Sequence, residues 1–201
     1  MFILVGYKII EIKNKYLVSC SDDKYIIFYL KNNLEYKKNY QISTNGPCYS
    51  ISQIKENEIC YSEYINYRDK ICFFDLNERK IKSSISNISN SGYNPFVMIS
   101  NDLLLILGNN KISIININYY ELIREIEVSK SGWIHGACML NKNILFTGDE
   151  KGIIREWKIE EDNLILISKK VNSHNNYIIT LLNIGNGHIA SGSINSSIKI
   201  W

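Results

Sequence analysis

His174, Ser191 and Asn195 are the residue types of a nucleophilic relay: an imidazole can take a hydroxyl proton and a side-chain amide can orient the ring. The rest of the reactive inventory is thin. His135 and His188 have no carboxylate or cysteine partner at ligand spacing, and cysteines 20, 48, 60, 72 and 138 form no CxxC pair. No HExxH, GxSxG or glycine-rich phosphate motif is present. An odd number of scattered cysteines reads as buried, reduced thiols rather than a disulfide framework. The expectation is a chain with no catalytic residue, no metal site and no cofactor, so the relay residues need another explanation.

The elements that carry them read as strands. Ile, Leu, Tyr, Val and Phe fall in runs of four to eight, broken by clusters of Asn, Gly, Ser, Asp and Lys. "KISIINI" at 111–117 alternates polar and apolar over its first four residues, and "LIREIEV" at 122–128 sets charges among aliphatics, as half-buried strands do. No window of helical length carries a 3.6-residue stripe, so the chain reads as all-β.

The strands recur. "HIASGSINSSIKIW" (188–201) lies over "YLVSCSDDKYIIFY" (16–29) without a gap: Ser191 on Ser19, Ser193 on Ser21, Asn195 on Asp23, Trp201 on Tyr29. "ILFTGDEKGIIREW" (144–157) fits the same frame with Thr147 and Trp157, and "DLLLILGNNKISII" (102–115) with Asn109 and Ile115. A further copy at 58–76 has extra residues in its turn before Phe73 and Phe74. The closing positions 29, 74, 115, 157 and 201 are spaced by 45, 41, 42 and 44 residues. Units of this length, each with four short strands, match a propeller blade of ~40–45 residues. The expected units are 1–33, 34–79, 80–121, 122–163 and 164–201, making one domain over 1–201.

"TGDEKGIIREW" and "SGSINSSIKIW" resemble the second half of a WD repeat, in which a Gly-His pair precedes a Ser/Thr-x-x-x-Asp turn and a closing Trp-Asp. Ser173-His174 stands where the Gly-His pair belongs, and Phe74-Asp75 keeps the closing aspartate. The resemblance implies a β-propeller of four-stranded antiparallel blades, about five present and the last incomplete. It also implies a buried hydrogen-bond network in each repeat. That network is assigned to His174, Ser191 or Ser193, Asn195 and Trp201 in the fifth unit, to Thr147 and Trp157 in the fourth, and to Ser19, Asp23 and Tyr29 in the first. The relay residues thus become structural ones. For partner contact, the resemblance points to residues at the start of the innermost strand, Trp133, Tyr177, Tyr93 and Tyr49. It points also to residues just before the turn aspartate, Asp22, Gly108, Glu150 and Ile194.

The function implied is a non-catalytic scaffold that binds a peptide or protein. The alternatives are a substrate receptor of a ubiquitin ligase and a propeller enzyme. "FFDLNER" lacks the Trp and Arg of the receptor's docking box, and the enzyme reading has no inward carboxylate or metal cluster behind it. A net charge of +3 is far from the basic excess of a nucleic-acid surface, and no window is long enough to cross a membrane. "MFILVGYKII" lacks a basic leader and a cleavage site, so the chain reads as cytoplasmic or nuclear. Seven blades would need roughly 300 residues. The expectation is therefore a partial propeller, with self-association through the unfinished last blade.

Overall fold

Runs of β-branched and aromatic residues between Asn-, Asp- and Gly-bearing turns form antiparallel strands in a computed structural model. The structure describes residues 6–12, 15–33, 35–88, 95–128 and 132–201, and among these there is no helix. The strands are consecutive neighbours in five meander sheets. The first sheet holds β1 (Gly6–Ile12), β2 (Tyr16–Ser21), β3 (Tyr25–Asn32) and β4 (Glu35–Ser43). The second holds β5 (Ile51–Lys55), β6 (Glu58–Ile65), β7 (Arg68–Asp75) and β8 (Lys80–Ile88). The third holds β9 (Phe96–Met98), β10 (Leu103–Leu107), β11 (Lys111–Asn116) and β12 (Glu121–Glu127). The fourth holds β13 (Ile134–Asn141), β14 (Ile144–Asp149), β15 (Ile154–Glu160) and β16 (Asn163–Lys170). The fifth has three strands, β17 (Ile178–Gly185), β18 (His188–Ser193) and β19 (Ser197–Ile200). The fold is all-β, built of propeller blades.

The chain divides into two compact units, Met1–Tyr93 and Asn94–Trp201. In the first, Val18, Cys20, Ile26 and Phe28 of one sheet close on Ile51, Ile59, Tyr61 and Phe74 of the next. Phe28 stacks on Tyr40, with ring centroids 4.2 Å apart. In the second, Leu105, Leu107, Ile112 and Ile114 pack on Ile134, Leu145 and Trp157. Cys138, Leu140, Phe146 and Ile154 then meet Ile178, Leu181, Ile189 and Trp201. The fourth and fifth sheets come close because the fourth is glycine-bearing where they touch: a β-carbon on Gly148 would sit 2.5 Å from Ile178 Cγ2. The outermost strands β4 and β16 are largely exposed and carry the lysine pairs Lys37-Lys38 and Lys169-Lys170.

Repeats and sheets are offset by one strand. Each expected unit from the second onward opens with the outermost strand of the preceding sheet, β4, β8, β12 or β16, and then supplies three strands of its own sheet. The closing positions are marked in the backbone. The pairing of third with fourth strand breaks register at Phe28/Tyr29, Phe73/Phe74, Ile114/Ile115 and Glu156/Trp157, always directly before the closing residue. A bulge at that point turns the closing side chain onto a sheet face while the strand goes on to pair.

Two local readings need correction. The ungapped frame sets Leu103 on Leu145, yet Leu104 is the residue opposite Ile115, whereas Leu17 faces Tyr29 and Leu145 faces Trp157. The β10–β11 connection is one residue tighter than its counterparts, so β10 is shifted by one. In the second sheet the extra residues form no larger turn. They lengthen β6 and β7 until Ile65 pairs Arg68, leaving Asn66 and Tyr67, both at positive φ, as a two-residue loop. Asn serves the same need elsewhere: among described non-glycine residues with positive φ, Asn33, Asn66, Asn110, Asn172 and Asn186 sit in turns or bends between strands, and Asn87 sits at a register shift within β8.

Candidate functional site

In the fifth sheet, β18, β19 with the residue after it, and the segment before β17 bring a histidine, two serines and a tryptophan together. His174 Nε2 lies 2.6 Å from Ser191 Oγ, and its Nδ1 lies 2.9 Å from Ser197 Oγ. Trp201 donates its indole N–H to Ser191 Oγ at 2.8 Å, and the Ser197 hydroxyl donates to Asn195 Oδ1. The directions close when His174 carries its proton on Nδ1. Trp201 N–H then donates to Ser191, Ser191 O–H to Nε2, Nδ1–H to Ser197, and Ser197 O–H to Asn195. Ser197, absent from the sequence-based set, is the link between the His174 ring and the neutral Asn195 amide. Ser193 lies outside this chain of bonds and donates instead to the Asn176 carbonyl at 3.3 Å. Ser191 and His174 are both buried, so this hydroxyl has no exposed surface from which to attack a substrate. Burial, then the charge of Lys199, holds the His174 pKa below its ordinary value.

The fourth sheet keeps a shorter version. Trp157 donates its indole N–H to Thr147 Oγ1 at 2.9 Å, and both are buried. The turn is organised by Asp149, whose Oδ1 accepts from the N–H groups of Lys151 and Ile153 at 2.9 and 3.0 Å. Its other oxygen pairs with Arg155 Nη1 at 2.6 Å, with each side chain only 2% exposed. Arg155 was not legible as a site residue. Spacing shows four separate arginines, and nothing in it shows that this one points inward opposite Asp149.

In the first sheet Asp23 Oδ1 accepts from Tyr25 N–H at 2.9 Å, and Tyr29 sits opposite Leu17. Among the described residues no side-chain hydrogen bond joins Ser19 to Tyr29. A phenol hydroxyl lies at the far tip of its ring and does not reach back as an indole N–H does. Phe74 is buried, and Asp75 next to it caps the β7–β8 turn through the N–H groups of Asn77 and Glu78 at 2.8 and 2.9 Å.

The loop residues form a second constellation. Trp133 lies directly before β13 and Tyr177 directly before β17, and the rings of Trp133, His135 and Tyr177 make a row. The Trp133–His135 centroids are 6.0 Å apart, and His135 stacks on Tyr177 at 5.8 Å with 17° between planes. Each aromatic is tied to its own turn. Glu150 N–H donates to the Trp133 carbonyl at 3.0 Å, and Ile194 N–H donates to the Tyr177 carbonyl at 3.0 Å. The two sets of expected contact positions therefore adjoin in both sheets. His135, which the sequence left without a role, is the middle ring. Its Nε2 is buried with no hydrogen-bond partner, and burial lowers its pKa against the opposing pull of Glu150 and Asp149. Tyr49 makes a separate edge contact with Tyr64 at 5.8 Å, and Tyr64 in turn meets the exposed Tyr67. Asp22 is exposed in the β2–β3 turn, Gly108 follows β10, and Tyr93 lies outside the described residues.

Cys20, Cys48, Cys60 and Cys72 are buried free thiols. Burial raises the pKa of Cys72 to about 12 and that of the half-buried Cys138 to about 11, so both remain protonated at neutral pH. Among the described residues no group of three His, Cys, Asp or Glu side chains is placed to hold a metal ion. Among the described residues no helix is long and apolar enough to cross a membrane. No protein-family model and no curated protein matches the chain.

Proposed function

We propose that the chain is a non-catalytic interaction scaffold of the WD-repeat type, taking a peptide or protein on the loop face that holds Trp133, His135 and Tyr177. The observation that carries this reading is the ring row itself. Three rings line up at the starts of two successive inner strands, Trp133 and His135 at β13 and exposed Tyr177 at β17, with exposed Ile194 beside them and the Glu150 carboxylate close by. Rigid aromatic side chains on short strand-anchored loops are the usual anchors of protein interfaces, because they bury much area at small entropic cost. The network of His174, Ser191, Ser197, Asn195 and Trp201 then serves to hold the Tyr177 loop still. Buried free thiols support a reducing compartment, cytoplasmic or nuclear.

The test compares proteins captured by the wild type with those captured by a Trp133→Ala/Tyr177→Ala variant, both verified as folded by circular dichroism. A partner held by the wild type and lost by the variant supports the reading. Undiminished capture of every partner by the folded variant overturns it.

A further inference from the structure

Among the described residues, the inter-sheet cores of the first sheet with the second, the third with the fourth and the fourth with the fifth use the same two faces. The sheet that comes first in the chain offers one face. The next sheet covers it with three things: an aliphatic from its innermost strand, an aliphatic from its second strand, and its closing aromatic. Ile51, Ile59 and Phe74 do this for the first sheet. Ile134, Leu145 and Trp157 do it for the third. Ile178, Ile189 and Trp201 do it for the fourth.

The fifth sheet has the receiving face too, and it is open. Strand register sets Leu182, Ala190 and Gly192 on Ile10, Val18 and Cys20 of the first sheet, and Ile198 and Ile200 on Ile26 and Phe28. In the first sheet Val18, Cys20, Ile26 and Phe28 are fully buried. In the fifth, Leu182 is 61% exposed, Ile198 80% and Ile200 65%. Three large aliphatics on one sheet face, next to a Gly that permits close approach, form a patch that soluble chains do not leave bare without a use.

The matching donor face is found on the first sheet. By the same register Ile9, Leu17 and Tyr29 stand where Leu181, Ile189 and Trp201 stand in the fifth. Those three pack on the fourth sheet, whereas Ile9 is 61% exposed and Leu17 and Tyr29 are half-buried. We propose that the first sheet of a second copy docks on the open face of the fifth, with Ile9, Leu17 and Tyr29 against Leu182, Ala190, Gly192, Ile198 and Ile200, repeating between chains the contact that joins the fourth and fifth sheets within one. Such an interface is heterologous. It joins unlike faces, so copies associate head to tail, into a closed ring or an open row. It stands apart from the aromatic loop site and does not depend on it.

The experiment uses light scattering and sedimentation on the 201-residue chain at micromolar concentration. The wild type is expected to populate dimers and larger species in a concentration-dependent way. Ile198→Asp spoils only the receiving face and Ile9→Asp only the donor face. Each residue is exposed, so circular dichroism and the melting temperature should stay near wild type while association weakens about 30-fold or more. Mixing the two variants is the decisive arm, because one intact donor and one intact receiver remain, and a 1:1 heterodimer that grows no further is expected. A monomeric wild type, including one in which its own first sheet covers Ile198, overturns the proposal. So do folded variants that associate like the wild type, or a mixture that remains monomeric.

Discussion

At the scale of single residues, the buried polar groups of the fourth and fifth sheets are the most sensitive points. Trp157→Ala removes a buried ring and orphans Thr147 Oγ1. It should cost roughly 3–5 kcal/mol of stability, read from the shift in denaturant midpoint at constant slope. Arg155→Ala leaves Asp149 buried and unpaired and should cost about 3–5 kcal/mol, although the mutation removes nothing from the apolar core. Arg155 and Asp149 sit on neighbouring strands of one sheet, so replacing both with apolar residues should recover part of that loss. Buried His174 and half-buried His135 set a pH dependence. Both pKa values are held below the ordinary 6.5, so the unfolded chain binds protons that the folded chain refuses. Their contribution is complete above about pH 6.5 and is lost as the pH falls through the lowered native values. Melting temperatures measured from pH 8 to pH 5 should therefore drop on the acid side. His135→Phe keeps the stack on Tyr177 while removing one titrating group, and should flatten that drop.

At the scale of elements, stability rests on how closely neighbouring sheets approach. Gly152 has φ +70°, and a β-carbon there would run into the His174 carbonyl oxygen. Gly152→Ala should thus cost about 1–3 kcal/mol, a size set by backbone strain, and thermal denaturation checks it. This is also the scale at which the chain was most readable. Strand identity followed from β-branched runs, and the closing positions followed from a large apolar residue, aromatic in four of the five units, recurring near every 43rd residue. The structure marks four of these five positions with bulges. What escaped was decided by geometry that spacing does not encode. The one-residue shift of β10 comes from a tighter turn, and its all-aliphatic run Leu103–Leu107 has no polar residue to mark one face from the other. Likewise the repeat frame sets Lys151 on Asn195, yet Asp149 organises the fourth turn, because a carboxylate two residues earlier still reaches both N–H groups. The site was legible as two sets of loop positions. Its middle ring, His135, was not, since alternation along β13 places it beside Trp133 only once the strand start is known.

At the scale of the whole molecule, packing between neighbouring sheets dominates: Phe28 sits in a core of the first compact unit and Trp157 in a core of the second. Phe28→Ala in the first and Trp157→Ala in the second share no packing partner. Their destabilisations should add to within about 0.5 kcal/mol, as a double-mutant cycle would read. Within the second unit, hydrogen exchange should be fastest in β19, whose outer edge pairs with no fourth strand among the described residues, and slowest in β14 and β15, which are flanked on both edges.

The one-strand offset between repeat and sheet has a practical reading for anyone recombining such chains. A segment cut at the boundaries of the sequence repeat, such as 122–163, carries β12 away from the third sheet and leaves β16 behind, so a swap on that frame damages two sheets. A cut in the links between sheets, at 44–50 or 171–177, moves whole sheets with their cross-strand hydrogen bonds intact. The transferable part of this protein is therefore the sheet, and the repeat that the eye finds first in the sequence is the seam that sews one sheet to the next.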